Sequence, residues 1–178
     1  MSSLQRLTGF AVLALSITAC APVRVHSYAE RGADFNRYRS YKFGPADPAS
    51  TGDPRLDNNP FFNQRIQADV ENELAARGFE KVKSGRADLL VHHHASVTQE
   101  IGVKEDVDRG YCQTNDCRPY VYDAGTLLID FVDVRTNKLI WRGWAEGSVD
   151  GVIDNQSWME KKIDDSVKRI LAKFPRRA

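Results

Sequence analysis

The stretch TLLIDFVDVRTNKLIWRGWAEG, Thr126 to Gly147, decides the fold. Two runs rich in aliphatic and aromatic residues flank Arg135-Thr136-Asn137, which reads as two antiparallel strands joined by a tight turn. A three-residue loop with Asn137 left-handed gives a type I turn plus a bulge. That register sets Phe131 against Trp141, Ile129 against Gly143 and Asp133 against Leu139 on one face. On the other face it sets Asp130 against Arg142, Val132 against Ile140 and Leu128 against Trp144. A two-residue loop would place Phe131 opposite Arg142 and lose the charge pair. Directly opposed unlike charges contribute only about 0.2–1 kcal/mol, so Asp130 and Arg142 read as a structural pair and not a catalytic one. Both faces carry apolar residues; helices are expected over one, and part of the other is free to be a contact surface.

Upstream, DLLVHHHASV (Asp88 to Val97) places three histidines inside an apolar run. Strand alternation divides them. His93 shares the apolar face of Leu89, Val91, Ala95 and Val97, and is expected as a hydrogen-bonded core-edge residue. His92 and His94 project together on the polar face, about 6.5–7 Å apart at Cα. Two imidazoles at that spacing can converge on zinc or copper, but a catalytic zinc takes three protein ligands and a structural one four. His26, Asp130, Glu146, Asp123 and the cysteines are the candidates for a third. The competing reading is a half-exposed polar strand face.

VRVHSY (Val23 to Tyr28) reads as a first strand, and Tyr41 and Phe43 lie on one face of a short second one. The segment Gly44 to Pro60 holds four of the seven prolines and reads as a long, mobile loop. A helix follows, with Asn59 as cap, Pro60 at its first position, and Phe62, Ile66, Val70 and Leu74 on its apolar face. Gly78 suits the left-handed stop, with Phe79 folding back. A second helix is expected over Trp158 to Phe174, with Ser157 and Glu160 as a capping box. Its buried stripe is Met159, Ile163, Val167, Ile170, Leu171 and Phe174, and Pro175 ends it.

The N-terminus carries Arg6, an apolar run from Leu7 to Ala19, and then Cys20. The run is shorter than the roughly 20 residues of a membrane-spanning helix; its length and small terminal residues are those of a signal peptide, residues 1–19. ITAC resembles a bacterial lipobox, which makes Cys20 the lipidated first residue of the mature chain. Ala21, where an aspartate would retain the protein, implies outer-membrane sorting. Two or more acyl chains hold a polypeptide stably on a bilayer, so residues 20–178 are expected in the periplasm as one domain with its core over about 23–175.

Of 25 basic and 24 acidic residues, only Arg6 falls in the signal, so the mature part carries 24 of each. A nucleic-acid binder would normally carry a basic surplus, so nothing here supports that class and no nucleic-acid partner is expected. Lipidation of Cys20 leaves Cys112 and Cys117 in YCQTNDCRPY, which in an oxidising compartment read as a disulfide, with thiolate metal ligation as the alternative. Tyr111, Tyr120 and Tyr122 around that loop, with Trp144, are a candidate binding patch. No G-x-S-x-G elbow, phosphate loop, dinucleotide fingerprint or H-E-x-x-H is present. No enzymatic activity and no cofactor are expected.

ADFNRYRSYKF, LAARGFE, ADLLVHHHAS, the hairpin GTLLIDFVDVRTNKLIWRGWAEG and the closing ILAKFP together resemble the bacterial lipoproteins of domain-of-unknown-function family 4136. The hairpin, with Asp130, Asp133, Trp141 and Gly143, is the most specific piece. The resemblance brings no catalytic residues. The element order is also similar to the N-terminal domain of TolB, an analogy of fold that carries no function. The expected architecture is a single α+β domain with a mostly antiparallel sheet and two amphipathic helices. The expected role is a non-enzymatic envelope lipoprotein that binds a protein or cell-wall partner, with metal binding at His92 and His94 as the alternative.

Overall fold

The computed structural model describes residues 23–45, 49–57, 59–104 and 118–176. Residues 1–19, expected to be a signal peptide, and Cys20, Ala21, Tyr111, Cys112 and Cys117 lie outside these residues. The strands are β1 (Arg24–Ala29), β2 (Ser40–Phe43), β3 (Glu80–Lys81), β4 (Leu89–Lys104), β5 (Arg118–Asp133) and β6 (Lys138–Ser148). The helices are α1 (Pro60–Ala76) and α2 (Gln156–Ala172). A 3-10 turn, Phe35–Arg37, precedes β2.

The domain is α+β, but its sheet is mixed. The order is β1-β6-β5-β4-β2-β3. β1–β6, β6–β5 and β5–β4 pair antiparallel, as expected, whereas β2 runs parallel to both β3 and β4. Parallel neighbours need a crossover connection, and α1 supplies it between β2 and β3. Asp88 ties this parallel edge together: its carboxylate accepts from the Arg39 and Ser40 N–H groups and the Ser40 hydroxyl at 2.8–2.9 Å. Burial pushes the Asp88 carboxyl up, but these bonds and the Arg37 charge hold it below the usual range.

The β5–β6 register is the expected one from Ala124–Ser148 through Phe131–Trp141, and Asn137 is left-handed with φ 54°. Beyond that point the expectation fails. Val132 pairs with Leu139 and Asp133 with Lys138, which makes Ile140 the extra residue of a bulge and Val134 to Asn137 a four-residue turn. The bulge turns two successive side chains, Ile140 and Trp141, into the core. Asp133 fixes the turn by accepting from the N–H groups of Arg135 and Thr136.

Both helices pack on the face of Leu89, Val91, Ile129, Phe131 and Trp141. α1 is capped by Asn59, which accepts from the Phe62 N–H, and stops at Gly78 with φ 73°. The cap of α2 is Asn155, not the Ser157 box: Asn155 is extended and accepts from the Trp158 N–H, while Ser157 only donates its hydroxyl to it. Residues 50–57 of the long loop, expected to be mobile, are tied to the body. Leu56 is buried in the core, Thr51 accepts from the Val97 N–H at 2.6 Å, and Asp57 holds Ser50 and Thr51.

Gly143 lies under the indole of Trp141. A Cβ there would sit 2.3 Å from Trp141 Cη2 and 2.7 Å from Ile170 Cγ2. Gly143→Ala should therefore lower the unfolding free energy by about 1–3 kcal/mol through overpacking. Urea titration measures this, and an unchanged midpoint would show that the helix can withdraw at no cost.

The uncovered face of the sheet as candidate functional site

The face opposite the helices carries Leu90, His92 and His94 of β4, Leu128, Asp130 and Val132 of β5, Arg142, Trp144 and Glu146 of β6, and His26 and Tyr28 of β1. Cross-strand pairing arranges them in rows. His92, Asp130, Arg142 and Tyr28 make one row, and His94, Leu128, Trp144 and His26 the next. Among the described residues neither α1 nor α2 lies over them, and those of β4, β5 and β6 are half-buried by their own neighbours.

Asp130 and Arg142 stand opposite each other as expected and form a fork, with Nε and Nη2 donating to the two carboxylate oxygens at 2.7 and 2.6 Å. The bond from Asp130 raises the already high pKa of Arg142. Beside the fork, the His26 ring stacks on Trp144 at 5.4 Å and 26°, and Trp144 Nε1 donates to Glu146 Oε1 at 3.0 Å. The indole is thus fixed on both sides. Aromatic planes and a preset guanidinium are groups that lose little freedom on binding.

The three histidines divide as their alternation requires. His93 faces α1, its Nε2 3.2 Å from Asn63 Oδ1. His92 lies flat on Gly44, where a Cβ would sit 2.1 Å from its Cε1. His94 stands opposite Leu128. His26 is three strands from His94, about 14 Å at 4.7–4.9 Å per strand, too far to share an ion. Asp130 is taken by Arg142, and Glu146 by Trp144 and Arg24. Among the described residues no three His, Cys, Asp or Glu are grouped to hold a metal. A metal on His92 and His94 would need donors from elsewhere.

Tyr120 and Tyr122 lie on the same face but in the ribbon that β4 and β5 form beyond the body, with rings 5.7 Å apart. Tyr122 donates to Glu100 at 2.7 Å, and Tyr120 covers Gly102. Tyr122 is six residues along β5 from Leu128, about 20 Å at strand rise, so Trp144 and the tyrosines are separate surfaces. Sequence reading missed the ribbon because β4 and β5 keep their alternation with polar residues where the body ends. It also missed the contact of His92 with Gly44, which joins distant segments.

The DUF4136 profile, a domain of unknown function, matches residues 25–176. The chain belongs to the DUF4136 family. A DUF4136 family protein from Bacteroides thetaiotaomicron shares the fold at 12% identity and a TM-score of 0.51, over 83% of this chain and 95% of that one. A PelC dodecamer from Paraburkholderia phytofirmans is similar at 11% identity and a TM-score of 0.52, over 88% and 100%. A PDZ domain protein from Parabacteroides distasonis is similar at 14% identity and a TM-score of 0.56, over 86% of this chain. This chain covers 36% of that protein. No curated protein matches in sequence. What is shared at these identities is the fold. In this DUF4136 domain the marked residues of the hairpin are accounted for by structure: Asp133 holds the turn, Trp141 fills the core, Gly143 makes room for it, and Asp130 anchors Arg142.

Proposed function

We propose that this DUF4136 chain is a lipid-anchored, non-enzymatic binding module of the outer membrane, facing the periplasm, whose uncovered sheet face docks an envelope protein or cell-wall partner. One observation carries the reading. Among the described residues the two helices cover one side of the sheet, and the other side presents an exposed Tyr28 beside half-buried Trp144, Leu128 and the Asp130–Arg142 fork, the indole and the fork held by their neighbours. Aromatic residues and arginine dominate binding hot spots. The lipobox-like ITAC of the sequence supports the anchor, and the balanced charge speaks against nucleic acid. The occurrence of the same fold in a PelC dodecamer is consistent with a role in assembly.

A photo-crosslinking residue at Tyr28 should give a discrete adduct in intact cells, and one at Lys161, exposed on α2, should not. Trp144→Ala should weaken the Tyr28 adduct at least about tenfold, as a hot-spot truncation of 1.4 kcal/mol or more does. Adducts of equal strength at both positions, or none at Tyr28, would refute the docking face. In parallel, Cys20→Ala should lose acyl label and move to the soluble fraction.

A further inference from the structure

The place where the chain enters the domain constrains how the domain sits on its membrane. Val23 lies immediately before β1, and its Cα would be 3.7 Å from a Cβ placed at Gly147 near the end of β6. Cys20 is three residues earlier, hence at most about 11 Å from Val23 in a fully extended chain. A lipid on Cys20 therefore holds this end of the domain against the bilayer.

The same end gathers the exposed apolar side chains. α1 and α2 run parallel, their C-terminal ends joined by the bond from Arg77 Nη1 to the Phe174 carbonyl. Their first turns thus both lie at the Val23 end, and they bear Phe61 (73% exposed) and Trp158 (60%). The β4–β5 ribbon projects from the same end beyond the last β6 pair, Ala124–Ser148, with Ile101 (74%) directly opposite Val121 (63%). Of the large exposed hydrophobic residues among those described, only Tyr28 lies away from it. Between these points a small apolar recess of about 70 Å³ is lined by Val23, Leu56, Phe62, Val97, Ile153 and Met159.

We infer that this end is a membrane-contact surface: Phe61, Trp158 and the Ile101–Val121 ribbon enter the interface of the bilayer that receives the Cys20 lipid. The inference rests on the lipidation proposed above. A three-residue tether keeps these side chains at high effective concentration against the lipid, so weak individual insertion suffices. Tryptophan has an apolar body and a polar N–H that suit the headgroup boundary. Among the described residues the charges at this end are mixed: Glu100, Asp123, Asp150 and Asp154 stand with Arg24, Arg55, Lys161 and Lys162. The contact is accordingly apolar insertion into zwitterionic lipid and not attraction to anionic headgroups.

The test uses the acylated full-length protein in phosphatidylcholine vesicles, with and without bromine on the acyl chains. Trp158 emission is taken as the difference between the native protein and Trp158→Phe, which subtracts Trp141 and Trp144. Burial to the 5–10 Å depth of interfacial side chains should let brominated lipid quench Trp158 at least about twofold. Phe61→Ser with Ile101→Ser, both changes at exposed positions, should return the emission toward the unbrominated value. Protein that floats with the vesicles and shows no bromine dependence would overturn the inference while leaving the anchor intact. A blue-shifted, bromine-insensitive Trp158 in a larger species would also overturn it, because a second copy would then cover the surface. Protein lacking acyl mass and failing to float would overturn the anchor itself and the inference with it.

Discussion

Trp141→Ala is expected to lower the unfolding free energy by about 3–5 kcal/mol, the cost of emptying a buried aromatic site. Trp141 is fully buried where β6 meets the helices. Its ring packs edge-on against Phe174 at 5.1 Å and Phe131 at 5.4 Å, and those two rings stack at 4.6 Å. The loss therefore combines the transfer energy of one indole with the contacts of two neighbours that cannot close the gap. Gly143 beneath the ring has no side chain to fill it. For a domain of this size each kcal/mol moves the melting temperature by about 2–4 °C, so the midpoint should fall by roughly 6–20 °C. Phe174→Ala should cost a similar amount, and the double variant less than the sum, because the rings share one cluster. Calorimetry and urea unfolding measure both. A loss under about 1 kcal/mol would mean the cluster repacks freely and is not the centre of the fold.

Asp133→Ala should cost about 2–4 kcal/mol and Asp133→Asn less, since one oxygen can still accept from the turn. Asp133 is buried, and its carboxylate serves two distant segments at once. Oδ1 accepts from Arg135 and Thr136 N–H groups, Oδ2 accepts from the Tyr38 hydroxyl at 2.9 Å, and Arg37 Nη2 stands 3.5 Å away. Burial pushes this carboxyl up, but the Thr136, Tyr38 and Arg135 bonds and the Arg37 charge outweigh it and hold the carboxyl below the usual range. Burial and the same bond push Tyr38 up to about 12. Because the folded-state value is depressed, the stabilisation from Asp133 is complete above the unfolded value, about pH 4. It is lost as pH falls through the folded value. Acid unfolding below about pH 4 should thus be steeper for the native protein than for Asp133→Asn. The variant keeps some slope, because Asp88 is depressed as well. Parallel curves for the two proteins would show that Asp133 is not ionised in the fold.

Strand and helix periodicity was enough to divide the histidines, to place Phe62, Ile66, Val70 and Leu74 inward, and to oppose Asp130 to Arg142. These are statements about neighbours within an element or across one turn, where backbone geometry leaves little choice. The uncovered face was legible in part: helices over one face and a contact surface on part of the other were expected, but not which face the helices would leave open. Openness depends on both helices lying on one side of the sheet, and alternation cannot show that when each face bears apolar side chains.

The sequence by itself determined an α+β chain, its hairpin, its two amphipathic helices and the sidedness of each strand, because side-chain period is a local property of the backbone. Only the tertiary structure decided the parallel edge at β2, the bulge at Ile140, and the bond from Tyr38 to an aspartate 95 residues away. It alone also gathered Phe61, Ile101, Val121 and Trp158 at the end where the chain enters. Each of these joins or brings together segments far apart along the chain. Such meetings follow from how whole elements pack to bury a common core, and no periodicity within one element records them.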